Sequence, residues 1–87
     1  MTRLERIEQQ LRSNFDPSEL EVTDESHLHV GHAGARDGRG HFRVRIRAGA
    51  FADQPLVKRH RMVYDALGEM MRTDIHALSI KALGPDD

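Results

Sequence analysis

Imidazole is the reactive group this sequence offers in most abundance: His27, His29, His32, His41, His60 and His76 are six histidines in 87 residues. His27, His29 and His32 form an H-x-H-x-x-H run among glycines, and neutral imidazole nitrogens at that spacing suit Zn²⁺, Cu²⁺ or Ni²⁺. A solvated loop would carry the same run, so the spacing alone leaves both readings open. Cysteine is absent, which removes disulfides, thiol nucleophiles and protein-derived thiolate ligands together. Soft-metal chemistry must therefore take its sulfur from a partner. Catalysis finds no fixed pair: Ser26 and His27 are neighbours in sequence only, and Asp24, Glu25 and Asp74 stand at no spacing that assigns an acid and a base. The residues read as a binding protein rather than an enzyme.

A second chemistry is positive charge. The formal net charge of −1 conceals a segregated pattern, because residues 36–61 carry eight basic and two acidic side chains, a local +6. Arg43, Arg45 and Arg47 alternate along one segment, while Lys58, Arg59 and Arg61 cluster on another. Such a field favours an acidic partner or nucleic acid, and it also describes an ordinary solvated face.

The elements that must position these groups follow from periodicity. Thr2 with Glu5 matches a capping box, and Leu4, Ile7, Leu11 and Phe15 recur at helical spacing, which predicts a helix over 3–14. Residues 19–23 alternate as a half-buried strand. Residues 24–40, with four glycines and three histidines, predict a flexible loop. His41 opens a second strand over 41–47 that turns Phe42, Val44 and Ile46 to one side and three arginines to the other. A turn or short helical turn at 51–55 leads to a long helix over 56 to about 71, in which His60 is expected to pack or hydrogen-bond structurally. A third strand over 75–83 precedes a short acidic tail. The whole is expected to be one α+β domain, α-β-β-α-α-β, a three-stranded sheet with its helices on one face. The second strand is most simply antiparallel to the first, and its long connection to the third allows a parallel crossover. No stretch has the length of a membrane span, and the charged residues near position 1 lead to the expectation of a cytoplasmic protein.

On these residues the chain resembles the BolA family. DESHLH at 24–29, HFRVRI at 41–46, the turn at 51–55, RHRMVYDAL at 59–67 and DIHALSIKALGP at 74–85 stand in that family's order across nearly the whole length. The resemblance implies a class II KH-like fold. It also implies a heterodimer with a monothiol glutaredoxin, in which glutaredoxin and glutathione supply thiolates to a [2Fe–2S] cluster and this chain supplies histidine nitrogen. No cofactor is expected in the isolated chain. Carried over by motif, the ligands are His76 and a loop histidine, His29, with His32 as the neighbour that could replace it. The insertion GHAGARDGRG, longer than the corresponding stretch in many relatives, leaves the loop ligand open. Imidazole can replace thiolate on one iron of such a cluster, as in Rieske centres.

The KH-like fold carries a rival expectation, since KH domains clamp nucleic-acid backbones with a GXXG loop between helices. Gly31-His32-Ala33-Gly34 spells that pattern but lies between two strands, and AGAFADQPL, before the long helix, contains none. What remains for DNA is phosphate contact by Arg43, Arg45, Arg47, Lys58, Arg59 and Arg61, which needs no motif and weakens with salt. The same surface could instead dock the glutaredoxin.

Overall fold

A computed structural model describes residues 1–29 and 38–87, the side chains of residues 28 and 29 excepted. Helix α1 (Arg3–Phe15) starts at the predicted capping box: the Glu5 main-chain N–H donates to Thr2 Oγ1 (3.1 Å), and the Thr2 N–H donates to Glu5 Oε1 (2.9 Å). The second bond holds the Glu5 carboxyl below its usual range. The helix ends at Asp16, whose left-handed backbone (φ 46°) caps it before Pro17. Strand β1 (Glu19–Asp24) and a 3₁₀ turn (Ser26–His29) follow, so Asp24 and residues 26–29 of the expected loop belong to regular structure. The expected loop residues 30–37 lie outside the described residues.

Strand β2 (Gly40–Arg47) is central, antiparallel to β1 and parallel to β3 (Ile75–Leu83), in the sheet order β1-β2-β3. Phe42, Val44 and Ile46 face Ile7 and Leu11 of α1 and Val63 and Leu67 of α2 (Leu56–Leu67), and all seven are buried. The 3₁₀ turn Gly49–Phe51 inserts Phe51 into the same core, with its ring centroid 5.0 Å from that of Phe15. Helices on one face of a three-stranded sheet are the architecture the stripes predict.

The long helix differs from its expected extent. It breaks after Leu67, where Gly68 takes φ 53° and ψ −123°, and a four-residue helix α3 (Met70–Thr73) follows. Met70 and Met71 continue the apolar pattern because they pack on the core from α3 rather than from α2. A left-handed φ at Gly68 lets the chain turn there without a side-chain clash.

The crossover through α2 and α3 makes β2 and β3 run the same way, so both strands begin at one end of the sheet and finish at the other. That arrangement creates two polar corners far apart in space and built from residues remote in sequence.

Candidate functional site

The corner where β2 and β3 begin holds the histidines. Gly40 pairs with Ile75 and His41 with Ala77, which leaves His76 as the extra residue of a bulge. A bulge re-aims the side chain of the extra residue. His76 is exposed while Ile75 beside it is fully buried. The His41 and His76 rings lie 5.2 Å apart between centroids, tilted by 47°, and Arg39 Nη2 stands 3.0 Å from His76 Nδ1.

The backbone holding this corner is tied from both sides. The Gly40 N–H donates to the Asp74 carbonyl (2.9 Å), fixing the start of β2 to the residue before β3. The His41 N–H donates to Ser26 Oγ (3.1 Å), and its carbonyl accepts from the Glu25 N–H (2.8 Å). The Ser26 N–H in turn donates to Asp24 Oδ1 (2.9 Å), an Asx turn that starts the 3₁₀ segment. Partial burial pushes the Asp24 carboxyl up, but the two hydrogen bonds from Ser26, with His27 and Arg3 nearby, outweigh it and hold the group below its usual range. Gly40 is required here for space: a Cβ would sit 2.7 Å from the Phe42 ring and 2.8 Å from Ser26 Oγ. The turn that bears His27 and His29 is thus anchored directly beside the strand that bears His41. An open groove at this corner is lined by Arg3, Ser26, His27, Arg39 and His41.

Of the expected ligands, the structure sets His76 at this corner and the main chain of His29 in the adjacent turn. The side chain of His29, and His32 altogether, lie outside the described residues. Among the described residues no three His, Asp or Glu side chains group to hold a metal ion. His41 is 8% exposed and is the second residue of β2, near the strand start where a structural role was expected, although the alternation sets it on the side of the arginines. His60 is half-buried on α2. Arg39 was absent from the sequence reading, because nothing local in GRGHF brings it to His76; only the parallel pairing of distant strands does.

The basic residues separate into three sets, and this corrects the expectation of one basic face. Arg59 is 9% exposed and donates to the Gln54 carbonyl (2.8 Å), the Ala82 carbonyl (3.0 Å) and the Asp87 carboxylate. Arg47 donates to Glu19 Oε1 (3.0 Å), to the Gly84 carbonyl (2.9 Å) and to the main-chain oxygen of Asp87 (2.8 Å). Both arginines belong to the corner where β2 and β3 end, and their donors are spent on protein oxygens. The Gly84 N–H and then Arg59 hold the Asp87 carboxyl below its usual range. On the open face of the sheet, Arg43 pairs with Glu25 (3.0 Å) and Arg45 with Glu19 (3.4 Å). Lys58 and Arg61 are exposed on α2, next to exposed Leu56 and Val57.

Comparison with known proteins accords with this geometry. The family model described as BolA-like protein matches residues 11–87. SufE-like protein 1, chloroplastic/mitochondrial, of Arabidopsis thaliana is 47% identical over 85 residues, which is 92% of this chain and 23% of that protein. The chain thus spans less than a quarter of that relative. DNA-binding transcriptional regulator BolA of Escherichia coli K12 is 42% identical over 76 residues, 87% of this chain and 70% of that protein. The solved BolA domain of SufE1 from Arabidopsis thaliana superposes with a TM-score of 0.87 at 43% identity, covering 99% of this chain and 95% of that one. No helix among the described residues is long and apolar enough to cross a membrane.

Proposed function

The chain belongs to the BolA family, and from that premise we propose that it is a non-catalytic cytoplasmic adaptor that binds a monothiol glutaredoxin and shares, transfers or senses a [2Fe–2S] cluster. The observation that carries this reading is His76: a bulge turns it out of the core at the one corner where the turn bearing His27 and His29 is also anchored. The donor set fits. His76 and a histidine of the 29–32 segment would give imidazole nitrogen to one iron, and a chain without cysteine leaves the thiolates to glutaredoxin and glutathione. When bound, the cluster would supply redox and sulfur chemistry; this chain's own part is to hold and orient imidazole at a rigid strand end.

The test is anaerobic reconstitution with a monothiol glutaredoxin, glutathione, iron and sulfide, followed by visible circular dichroism of the parent, His76→Ala, His29→Ala and His32→Ala. A heterodimer with a spectrum distinct from the glutaredoxin homodimer, lost in His76→Ala, is the expected result, and the loop variants identify the second ligand. A spectrum indifferent to all three substitutions overturns it.

A second reading, DNA binding, draws support from the name of the Escherichia coli relative and from exposed Lys58 and Arg61 on α2. Glu25 and Glu19 already pair with Arg43 and Arg45, and Arg47 and Arg59 spend their donors on protein oxygens, so of these six candidates Lys58 and Arg61 are the ones left to release counterions. Binding of this kind would be weak and fall steeply with salt, whereas a cluster-bridged heterodimer would persist.

A further inference from the structure

The contact between Arg39 and His76 bears on when His76 can act as a ligand. A guanidinium has five N–H donors, no acceptor, and keeps its charge at all accessible pH. At 3.0 Å from Arg39 Nη2, His76 Nδ1 is therefore the acceptor, and its lone pair is engaged. A neutral imidazole has one lone pair and one N–H, so a ring accepting at Nδ1 carries its proton on Nε2. Neither nitrogen then presents a lone pair to a metal. A ligating histidine instead donates its second ring N–H to a carbonyl, carboxylate or water, and Arg39 offers only the opposite kind of partner.

The contact is held in place by main-chain structure. Arg39 immediately precedes Gly40, whose N–H is bonded to the Asp74 carbonyl (2.9 Å), and His76 is the bulged residue opposite that same step. The two side chains meet because the backbones that carry them are pinned together. His41, buried beside His76, has its ring centroid 5.2 Å from that of His76.

We propose that Arg39 is a gate on His76: its hydrogen bond holds the imidazole in the Nε2–H form, and His76 becomes a ligand only once Arg39 is displaced. The use of the gate rests on the cluster-adaptor reading, whereas the bond itself can be measured in the free chain. Displacement requires an acceptor that competes with the ring for the guanidinium, and a carboxylate or thiolate brought by a partner meets that need, because hydrogen bonds between ionised groups are the stronger. The free chain would then hold its ligand masked, and docking would unmask it.

The experiment uses the full chain with ¹⁵N-labelled histidine. Long-range ¹H–¹⁵N correlation reads the tautomer of His76, and titration with Zn²⁺ alone, followed at the His76 resonances, reads its availability. The parent is expected to show the Nε2–H form. Arg39→Ala should convert the ring to a mixture with the Nδ1–H form and lower the Zn²⁺ concentration needed at His76 roughly fivefold, the scale of one partly exposed charge-assisted bond. Arg39→Lys, which keeps a charge and a donor, should stay near the parent. A parent ring already in the Nδ1–H form, a Zn²⁺ response at His76 unchanged in Arg39→Ala, or a Zn²⁺ response of the remaining histidines that rises as much in Arg39→Ala/His76→Ala as in Arg39→Ala would each overturn the gate. Failure of the adaptor reading shows instead in the heterodimer spectrum, so the two are read separately.

Discussion

The parallel β2–β3 pair has an arginine against polar partners at each end, and the two ends are built to different purposes. At the finishing end, Arg59 is enclosed and meets three oxygens, two of them main-chain carbonyls that cannot move away. At the starting end, Arg39 is half-buried and meets the ring nitrogen of an exposed histidine. A buried guanidinium with fixed carbonyl acceptors is a structural bolt, because removing it leaves desolvated oxygens without donors. A guanidinium at the surface on a neutral ring can be exchanged for water or a partner at small cost. The same residue type thus closes one corner and leaves the other adjustable, and the adjustable one is where the histidines gather.

Arg59→Ala should have the largest effect. It strips donors from the Gln54 and Ala82 carbonyls and from the Asp87 carboxylate, and a loss of about 3 kcal/mol is expected from equilibrium urea unfolding. A loss below about 1 kcal/mol would mean that the corner is open to water and the contrast between the ends is wrong. Next comes Gly40→Ala, which tests the rigidity under the histidine corner. The added Cβ collides with Phe42, which is 2% exposed, and with the hydroxyl that caps His41. Overpacking of this kind costs about 2 kcal/mol, and the ¹H–¹⁵N resonances of Ser26 and His27 should shift along with those of β2.

Asp87→Asn sharpens the finishing end through pH. Folding lowers the Asp87 carboxyl below the ordinary aspartate value of 3.8, by the Gly84 N–H first and Arg59 second. A carboxyl lowered by folding binds more protons in the unfolded chain, so its stabilisation is present above pH 3.8 and disappears as pH falls through the folded value. The parent should therefore be more stable than Asp87→Asn at pH 7, with the gap closing below about pH 4. Urea midpoints of both proteins at pH 7 and pH 3 check this, and a gap that stays constant would separate the tail from the Arg59 corner.

Some of this was readable in the residues and some was not. Strict alternation over 41–47 fixed the core face of the central strand, since a strand buried on one side permits only one phase. Thr2 and Glu5 announced the start of α1 through local hydrogen bonding alone. Arg59 was read as part of a surface cluster, yet it stands four and eight residues before Val63 and Leu67, on the buried stripe of α2; that spacing was the available signal, overridden by its charge. Arg47 alternates with Arg43 and Arg45 but lies at the strand end, where the Gly84 and Asp87 segment folds over it. The break at Gly68 was hidden because Met70 and Met71 keep the apolar rhythm across it. The bulge at His76 and its meeting with Arg39 and His41 have no local signature at all, being set by the register of strands joined through two helices.

Arg39→Ala should have the smallest effect on folding, and that smallness is the point of contact between the two ends. The bond of Arg39 to the His76 ring lies outside the core, at an exposed histidine, so the expected change in unfolding free energy stays within about 0.5 kcal/mol. Amide exchange at His41 and Ala77 should also match the parent, because the strand start is held by the Gly40 N–H on the Asp74 carbonyl and the His41 N–H on Ser26 Oγ. If instead Arg39→Ala were to destabilise the chain as Arg59→Ala does, Arg39 would be a second bolt, His76 would be locked to it, and the histidine corner could not exchange that arginine for a partner without loosening the sheet.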